Sequence, residues 1–379
     1  MGRINKLAPL LRSDSLFTSG VGSYIRYRIP ALVISQKENI LAFCEARKHT
    51  GYDSDQIDLL VRRSTDGGNT FEPQRVILHE EGWVCGNPAP VLDRETGRVW
   101  LLFCKNRMED RERKINLGGY PRTVWVTNSS DDGETWEEPV EITPAVKLPE
   151  WAWYATGPCH GIQLQNGRLL IPCDHSLINP DTDTETPYFA HVIYSDDHGT
   201  TWKIGGSTLE GTNESTVVET NDGTIYLNCR NSPFSLLARS GGARQANEPY
   251  YRAYAWSLNG GESFSLIKHD PSLPEPICQA SLCRLTDDRS HDRNRILFAN
   301  PASRKRENLT VRMSYDECRT WPVHRTLHPG RAGYSDLCVT KDLTICCLYE
   351  EGVENAFETL VFARFNLDWL IENFDEQEL

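Results

Sequence analysis

The sequence predicts an all-β protein, and more specifically a β-propeller of six blades, each a four-stranded antiparallel sheet. Two observations lead to this fold class. An eight-residue turn pattern returns at nearly constant spacing along the chain, and short strand-like segments flank its copies. Short strands repeated with a large, fixed period are typical of radial repetition. We expect one domain over residues 1–379 with no separate lectin module, although the length alone would allow two or three domains.

The repeated pattern is Ser-x-Asp-x-Gly-x-Thr-Trp, with small losses in some copies. Asp and Asn side chains bond to nearby backbone groups, Gly permits a positive φ, and the final aromatic residue can anchor the turn in the core. Each copy therefore predicts a hairpin turn. Five marked units and one unmarked unit of similar length give the count of six; the alternative is a β-sandwich with coincidental turns. The copies start 57 to 66 residues apart, at Ser64, Ser129, Ser195, Ser257 and Ser314.

The segments around these turns are short, rich in β-branched and aromatic residues, and bounded by Gly, Pro, Asn or Asp. These features are typical of β-strands. Amphipathic helical periodicity is missing except after residue 366. The predicted strands span residues 57–62, 99–104, 123–127, 191–194, 224–228, 296–299 and 360–365.

Composition excludes several classes of protein. Hydrophobic residues make up 39% of the chain, which is too much for a disordered chain. No apolar run approaches the roughly 18 residues that would span a bilayer. Lys and Arg number 40 against 53 Asp and Glu, a net charge of −13, and they form no long basic tract. We therefore expect neither a membrane span nor a nucleic-acid partner.

The 12 cysteines are scattered, with no CxxC pair and no metal-ligand spacing. This usage favours free thiols in a reducing compartment over a disulfide framework. The first 20 residues lack the continuous apolar stretch of a secretory signal. We therefore expect a cytoplasmic location, while a signal removed in processing would leave a secreted or periplasmic one open.

Three arginines stand in strand-like contexts far apart in the chain. Arg28 lies in the tetrapeptide YRIP, Arg230 ends a predicted strand, and Arg306 precedes the segment LTV. Each alone would be read as a surface charge. Guanidinium groups can hold a carboxylate by paired, charge-assisted hydrogen bonds, so together they suggest an anion-binding site.

With YRIP near the N-terminus and the repeated turns, called Asp boxes, the chain resembles the non-viral exo-α-sialidases (neuraminidases) over roughly residues 17–365. The resemblance implies hydrolysis of terminal sialic acids with retention of configuration through a tyrosyl-enzyme intermediate. It also implies sialylated glycoproteins, glycolipids or oligosaccharides as substrates, with no metal and no cofactor. A trans-sialidase and a propeller that binds sialoglycans without cleaving them are the alternatives.

The resemblance assigns roles at the reacting centre. Arg28, Arg230 and Arg306 would hold the substrate carboxylate. Tyr334 matches the nucleophilic tyrosine, and Glu214 resembles the glutamate that takes its proton, with Glu219 as the alternative. A neutral phenol suits this reaction, because a carboxylate nucleophile would approach the anionic substrate against like charge.

Further roles are assigned around that centre. Asp53 is the expected acid/base, with Asp55 as the alternative. Glu45 and Arg47 resemble residues that line the pocket near the sugar's 4-hydroxyl and carboxylate, with a surface salt bridge as the competing interpretation. Glu350 resembles the residue that braces the first arginine.

The pockets for the N-acyl and glycerol groups of the sugar are less defined. An aromatic cluster and the residues after a nearby strand are candidates for these pockets, with packing in the hydrophobic core as the alternative. The candidates are Trp151, Trp153, Tyr154, Asp174 and His175.

Three other polar residues are not expected to bind the substrate. Glu109 and Glu112 lie in a charged stretch that we expect to be a solvated loop, and His160 is expected to be structural.

Overall fold

The computed structural model describes residues 7–181, 186–232 and 250–374. Within these ranges the chain forms 24 β-strands and three short α-helices. The helices are α1 (Glu112–Asn116), α2 (Thr143–Val146) and α3 (Leu367–Leu370). The strands of the first half are β1 (Leu11–Thr18), β2 (Arg26–Ile34), β3 (Ile40–Arg47), β4 (Ile57–Ser64), β5 (Arg75–Leu78), β6 (Trp83–Leu92), β7 (Val99–Arg107), β8 (Thr123–Ser129), β9 (Val140–Glu141), β10 (Trp151–Thr156), β11 (Ile162–Gln163) and β12 (Leu169–Leu177). Those of the second half are β13 (Tyr188–Ser195), β14 (Lys203–Ser207), β15 (Thr212–Glu219), β16 (Ile225–Asn231), β17 (Tyr250–Ser257), β18 (Lys268–Glu275), β19 (Ser281–Thr286), β20 (Arg295–Pro301), β21 (Glu307–Ser314), β22 (Val323–Val339), β23 (Ile345–Gly352) and β24 (Thr359–Phe365).

These strands pair into four sheets, which are antiparallel apart from one parallel contact between Ile57 and Val84. Two of the sheets follow the chain directly, in the orders β10-β12-β13-β14 and β15-β16-β17-β18, and β11 pairs with β12 at the edge of the first. The other two run β2-β3-β4-β6-β7-β8-β9, with β5 beside β4, and β1-β24-β23-β22-β21-β20-β19. The repeating unit is thus a four-stranded antiparallel meander.

The two larger sheets join neighbouring meanders. The 17-residue β22 pairs with β21 in its first half and with β23 in its second, so it belongs to two units. The N-terminal β1 pairs along β24, the last strand of the chain. The two ends of the described chain therefore complete one unit together.

Hydrophobic side chains pack between successive meanders. One cluster joins strands β6–β8 to β10–β13 through Trp100, Trp151 and Ile193, among others. Another joins β1, β23 and β24 to β2–β4 through Phe17, Leu32 and others. The core is therefore a series of layers between sheets, and the first and last units of the chain share one of those layers.

The five Asp boxes form the same hydrogen-bonded turn. In the first, Ser64 Oγ donates to Asp66 Oδ1 over 2.8 Å, Gly68 N donates to Ser64 Oγ over 2.8 Å, and Thr70 Oγ1 donates to Asp66 Oδ2 over 2.7 Å. The bonds recur at Ser129, Ser195 and Ser314, and with Asn259 in place of Asp in the fourth copy. Gly68 has a φ of +81°, as the turn pattern requires. The predicted turns are confirmed.

All seven predicted strands are present and longer than predicted, although β16 begins at Ile225, one residue after its predicted start. All 12 cysteines are free thiols, as the sequence predicted. Among the described residues, no helix has the length and apolar character that crossing a membrane requires.

Candidate active site

A cavity of about 350 Å³ lies where the ends of several meanders meet. It is lined from distant parts of the chain, by residues between Arg28 and Tyr334. Of the nine site residues predicted from the sequence, eight line this cavity, and the ninth, Glu350, contacts Arg28 directly. The eight are Arg28, Glu45, Arg47, Asp53, Glu214, Arg230, Arg306 and Tyr334.

Arg28 is held from behind by Glu350, which is completely buried. The Arg28 Nε donates to Glu350 Oε1 over 2.9 Å, and Nη2 donates to Oε2 over 3.2 Å. The same carboxylate accepts the backbone N–H groups of Ile29 at 3.1 Å and Tyr334 at 2.9 Å. Burial works to lower the pKa of Arg28, but Glu350 more than offsets it, and the pKa is raised. Arg28 is therefore a fixed, permanently charged group in the cavity wall.

Tyr334, Glu214 and Arg230 form one hydrogen-bonded group. The Tyr334 hydroxyl donates a short hydrogen bond to Glu214 Oε1. Arg230 Nη1 donates both to Glu214 Oε2 over 2.8 Å and to the Tyr334 oxygen over 3.0 Å. Burial, with the Glu214 charge beside it, raises the pKa of Tyr334 well above its usual value. The phenol is therefore neutral, with a carboxylate placed to receive its proton.

Arg306 completes the positive side of the cavity. Its guanidinium lies 5.4 Å from the Tyr334 ring centre, while that of Arg28 lies 5.1 Å from the same ring. Both guanidiniums also lie over the Phe357 ring, at 5.8 Å and 4.0 Å. One Arg306 nitrogen, Nη2, donates to the carbonyl oxygen of Ile277 over 3.3 Å. The Tyr334 and Phe357 rings thus keep apart the positive charges of Arg28 and Arg306, which would otherwise repel one another.

Asp53 stands at the mouth of the cavity with 76% of its side chain exposed. Its Oδ1 lies 2.7 Å from Arg47 Nη1 and 3.8 Å from Arg28 Nη1. Partial desolvation works to raise the pKa of Asp53, but Arg47 and then Arg28 outweigh it and lower the pKa. Arg47 is buried and also pairs with buried Glu45 over 2.7 Å, so the surface salt bridge considered for these two residues is wrong.

Asp55 has a different place. It is buried, and its carboxylate accepts the backbone N–H groups of His49, Thr50, Gly51 and Gln56 at 2.6 to 2.9 Å. These bonds fix the loop that carries Asp53. Asp55 does not line the cavity, whereas Asp53 does.

Glu219, the alternative to Glu214, lies at the other end of β15. Its Oε2 accepts the Gln165 N–H over 2.7 Å, and its side chain lines a separate cavity that shares no residue with the candidate site. His160 lines that second cavity too, where its Nδ1 lies 2.8 Å from Asp336 Oδ1. The structural role expected for His160 agrees with this partner.

The cavity wall also contains residues that the sequence analysis left open or missed. Arg122 is buried and donates to the Tyr154 carbonyl over 2.6 Å, and its guanidinium lies 3.9 Å from the Trp153 ring centre. Arg122 also donates to Asn87 and Asn106. Beyond Asn87, Arg122 and Trp153, this wall includes Glu112, Asp174 and Tyr188.

Glu112 corrects one expectation. It is exposed, as expected, but it begins α1 rather than lying in a loop, and it lines the cavity, where the Tyr188 hydroxyl donates a short hydrogen bond to it. Burial raises the pKa of Glu112. A charged stretch has no periodicity that would single out one glutamate beside the cavity, and only the five-residue helix places this one there.

The aromatic candidates divide between the core and the site. Trp151 and Tyr154 pack in the core, and His175 stacks on Trp151 with ring centres 3.6 Å apart. They are not cavity residues. Trp153 and Asp174 do line it. Asp174 faces away from His175 because side chains alternate along a strand, and a bulge in β10 between Trp151 and Tyr154 lets Trp151 and Trp153 face different sides. In the described ranges, no three His, Cys, Asp or Glu side chains are grouped to hold a metal ion.

Comparison with known proteins places this chain in a family. The model of the BNR repeat-like domain matches residues 38–347. The sialidase of Micromonospora viridifaciens is 34% identical over 384 residues, which cover 96% of this chain and 55% of that protein. Mouse sialidase-3 is 30% identical over 425 residues, 96% of each chain. Among solved structures, the Hadza microbial sialidase Hz136 is similar with a TM-score of 0.79 and 28% identity, over 92% of this chain and 67% of that one.

The chain thus spans about half of the Micromonospora protein but nearly all of mouse sialidase-3. The two sequence matches each cover 96% of this chain, whereas the BNR repeat-like model begins at residue 38, after Arg28. On the combined match of domain, sequence and structure, the chain belongs to the sialidase family of glycoside hydrolases.

Proposed function

We propose that this chain is a retaining exo-α-sialidase that removes terminal sialic acids through a covalent bond to Tyr334. The observation that carries the proposal is the group formed by the Tyr334 hydroxyl, Glu214 and Arg230 in a cavity that also contains Arg28 and Arg306. A neutral nucleophile with an attached base, beside three guanidiniums, suits a substrate that is anionic at its reacting carbon. Sialidases with a tyrosine nucleophile are a known exception to the paired-carboxylate scheme of glycosidases.

In the first step, the Tyr334 oxygen attacks the anomeric carbon while Glu214 takes the phenol proton. Asp53 gives its proton to the departing glycosidic oxygen, and the bond to the aglycone breaks. In the second step, the Asp53 carboxylate takes a proton from water as the water attacks the same carbon. The Tyr334 oxygen leaves and recovers its proton from Glu214. Two inversions retain the configuration.

Asp53 must be protonated in the first step, although Arg47 and Arg28 lower its pKa in the free enzyme. An incoming substrate carboxylate brings a negative charge close to Asp53 and competes for Arg28, 3.8 Å away. A nearby like charge disfavours the ionised form of a carboxyl group. Substrate binding therefore raises the pKa of Asp53, which takes up from solvent the proton that it then gives to the glycosidic oxygen.

The proposal extends to the fold, the substrates and the location. Meanders that share layers of core, with β1 completing the last unit, support a closed propeller of six blades around the cavity. The cavity's small volume, with Asp53 at its mouth, suits one terminal sugar with the aglycone outside, as in sialylated glycoproteins, glycolipids or oligosaccharides. The 12 free thiols support a cytoplasmic location.

The test is incubation with a fluorogenic α-sialoside, followed by proton NMR during early turnover. We expect release of the fluorophore and initial formation of the α-anomer of free sialic acid. Tyr334→Phe should still bind a sialic acid while normal turnover is lost. Initial formation of the β-anomer would contradict retention, and no release between pH 4 and 8 by folded protein would contradict the enzymatic proposal.

A further inference from the structure

A second cavity, of about 390 Å³, lies at the far ends of strands that line the candidate active site. For example, β15 contributes residues 213–214 to the active-site cavity and residues 217–219 to the second cavity. Leu32 and His160 line the second cavity, and buried Asp336 holds both from behind: it accepts the Leu32 N–H over 2.8 Å and lies 2.8 Å from His160 Nδ1. The two cavities share no lining residue, so the second can bind a ligand of its own.

The wall of the second cavity is apolar, and its mouth is charged. Charged residues follow where the lining strands end: Glu219 ends β15, and the exposed Arg94 lies two residues beyond the end of β6. Small-molecule sites are typically apolar cavities of roughly 300–1,000 Å³ with a few polar groups, and this cavity has that character. Each of β2, β6, β11, β15, β19 and β22 contributes aliphatic side chains to the wall, among them Leu32, Val91, Ile162, Val217, Leu282 and Leu337.

Two of the three arginines at the mouth already have carboxylate partners. Arg284 Nη2 donates to Glu317 Oε2 over 2.6 Å, and Arg289 Nε lies 3.8 Å from Asp287 Oδ1. The positive charges of these two arginines are therefore offset within the chain. The third arginine of the mouth, Arg94, is different.

Arg94 and Glu219 both line the mouth, and within the described part of the chain neither forms an ion pair. Arg94 Nη2 donates to the backbone carbonyls of Gln163 over 3.0 Å and Leu164 over 3.3 Å, which fix the guanidinium without neutralising it. Glu219 Oε2 accepts the Gln165 N–H over 2.7 Å. Burial raises the pKa of Glu219, while the Gln165 N–H and then Arg94 work to lower it. Arg94 and Glu219 are therefore within electrostatic range of each other without being in contact.

Opposite charges that are close but unpaired are complementary to a ligand that carries both signs. A guanidinium binds a carboxylate by paired, charge-assisted hydrogen bonds, and a carboxylate accepts charge-assisted hydrogen bonds from an ammonium group. A fatty acid would pair with Arg94 and leave Glu219 without a partner, whereas a fatty amine would do the reverse. An α-amino acid has both groups on one carbon atom, and an apolar side chain would suit the wall.

We propose that the second cavity binds a free α-amino acid with an apolar side chain. The carboxylate of the ligand pairs with Arg94, its ammonium group pairs with Glu219, and its side chain lies among the aliphatic residues of the wall. This binding site is separate from the candidate active site and does not depend on the function proposed above.

The test is isothermal titration calorimetry of the full chain with L-phenylalanine and two analogues. The analogue 3-phenylpropionate lacks the ammonium group, and 2-phenylethylamine lacks the carboxylate. We expect L-phenylalanine to bind at least roughly tenfold more tightly than either analogue, because each analogue loses one charged hydrogen-bonding group. Arg94→Gln should weaken the binding of L-phenylalanine roughly tenfold without weakening that of 2-phenylethylamine. Glu219→Gln should likewise weaken the binding of L-phenylalanine, without weakening that of 3-phenylpropionate.

Arg98→Gln is the matched control, because Arg98 is exposed like Arg94 but lines neither cavity. It should leave all three affinities unchanged. A 2,3-dehydrated sialic acid should not displace L-phenylalanine, and the melting temperatures of the variants should show that they fold. The proposal would be overturned if L-phenylalanine showed no saturable binding at millimolar concentrations, if either analogue bound as tightly, or if Arg94→Gln and Glu219→Gln left the affinity unchanged. Displacement by the dehydrated sialic acid would also overturn it, because the amino acid would then lie among the active-site arginines.

Discussion

Replacing Glu350 with glutamine would test how the fold holds a charged arginine in its interior. Glu350 has no exposed surface, and four groups donate to its two oxygens: Arg28 Nε and Nη2, and the backbone N–H groups of Ile29 and Tyr334. Glutamine has nearly the same shape but replaces one oxygen with an NH₂ donor. That donor would face other donors, and the charge opposite Arg28 would be gone.

Removing one partner of a buried ion pair costs about 3–5 kcal/mol, because the other charge is left uncompensated. Asp53 cannot take over, since it lies 3.8 Å from Arg28 and is 76% exposed to solvent. We therefore expect Glu350→Gln to lower the free energy of unfolding by at least about 3 kcal/mol. The value of kcat/KM should also fall at least tenfold, because Arg28 and the Tyr334 backbone lose a common anchor.

The measurement is reversible urea unfolding, followed by tryptophan fluorescence, together with kinetics on an aryl sialoside. Glu351→Gln is the matched control at the next position. The half-buried Glu351 pairs with His328 over 3.2 Å, and its loss should cost about 1 kcal/mol or less. If the two variants had equal stability, within 1 kcal/mol of wild type, the assigned importance of the buried pair would be refuted.

Three further predictions concern the acid/base loop and the Asp boxes. Asp53→Asn should lower kcat on natural sialosides roughly 100-fold or more, but should lower it much less on substrates with an activated leaving group. Asp55→Asn should instead lower the melting temperature. If Asp55→Asn lost kcat and Asp53→Asn lost thermal stability, the two roles would have to be exchanged. Arg47→Gln removes the nearest cation that lowers the pKa of Asp53, so the alkaline limb of the kcat/KM profile should move to higher pH; a shift to lower pH would contradict this. The Thr70 hydroxyl and N–H lower the pKa of Asp66 to about 2, below its unfolded value, so this carboxylate stabilises the fold above about pH 4 and the contribution is lost as the pH falls towards 2. Thr70→Val should therefore move acid unfolding to higher pH, and an unchanged midpoint would count against it.

The four-stranded units were predictable from the sequence because each Asp box marks a hairpin by its own local hydrogen bonds. Ser64, Asp66 and Thr70 need no distant partner to form their turn. The long β22 was not predictable, since its 17 residues change partner from β21 to β23 midway along the strand. That change depends on tertiary pairing and leaves no local sequence signal.

The candidate site was predictable where a residue type had few alternatives. Arg28 in YRIP and Tyr334 were assigned by resemblance, and the structure brings them together with Glu214 in one cavity. The contacts of Phe357 with the arginines were missed, because no local pattern distinguishes it from a core residue. The aromatic cluster was not divisible from the sequence, because a bulge in β10 between Trp151 and Tyr154 breaks the alternation that would put Trp151 and Trp153 on one face.

The most direct test of the central claim is to trap the covalent intermediate. A 2,3-difluoro sialic acid has an activated leaving group at carbon 2, and the fluorine at carbon 3 disfavours the oxocarbenium-like transition state, so the glycosyl-enzyme accumulates. After proteolysis, mass spectrometry should find the sugar attached to the peptide that contains Tyr334, and Tyr334→Phe should remain unlabelled at that position. A sugar attached to Glu214 or Asp53 in the wild-type protein would contradict the tyrosyl mechanism.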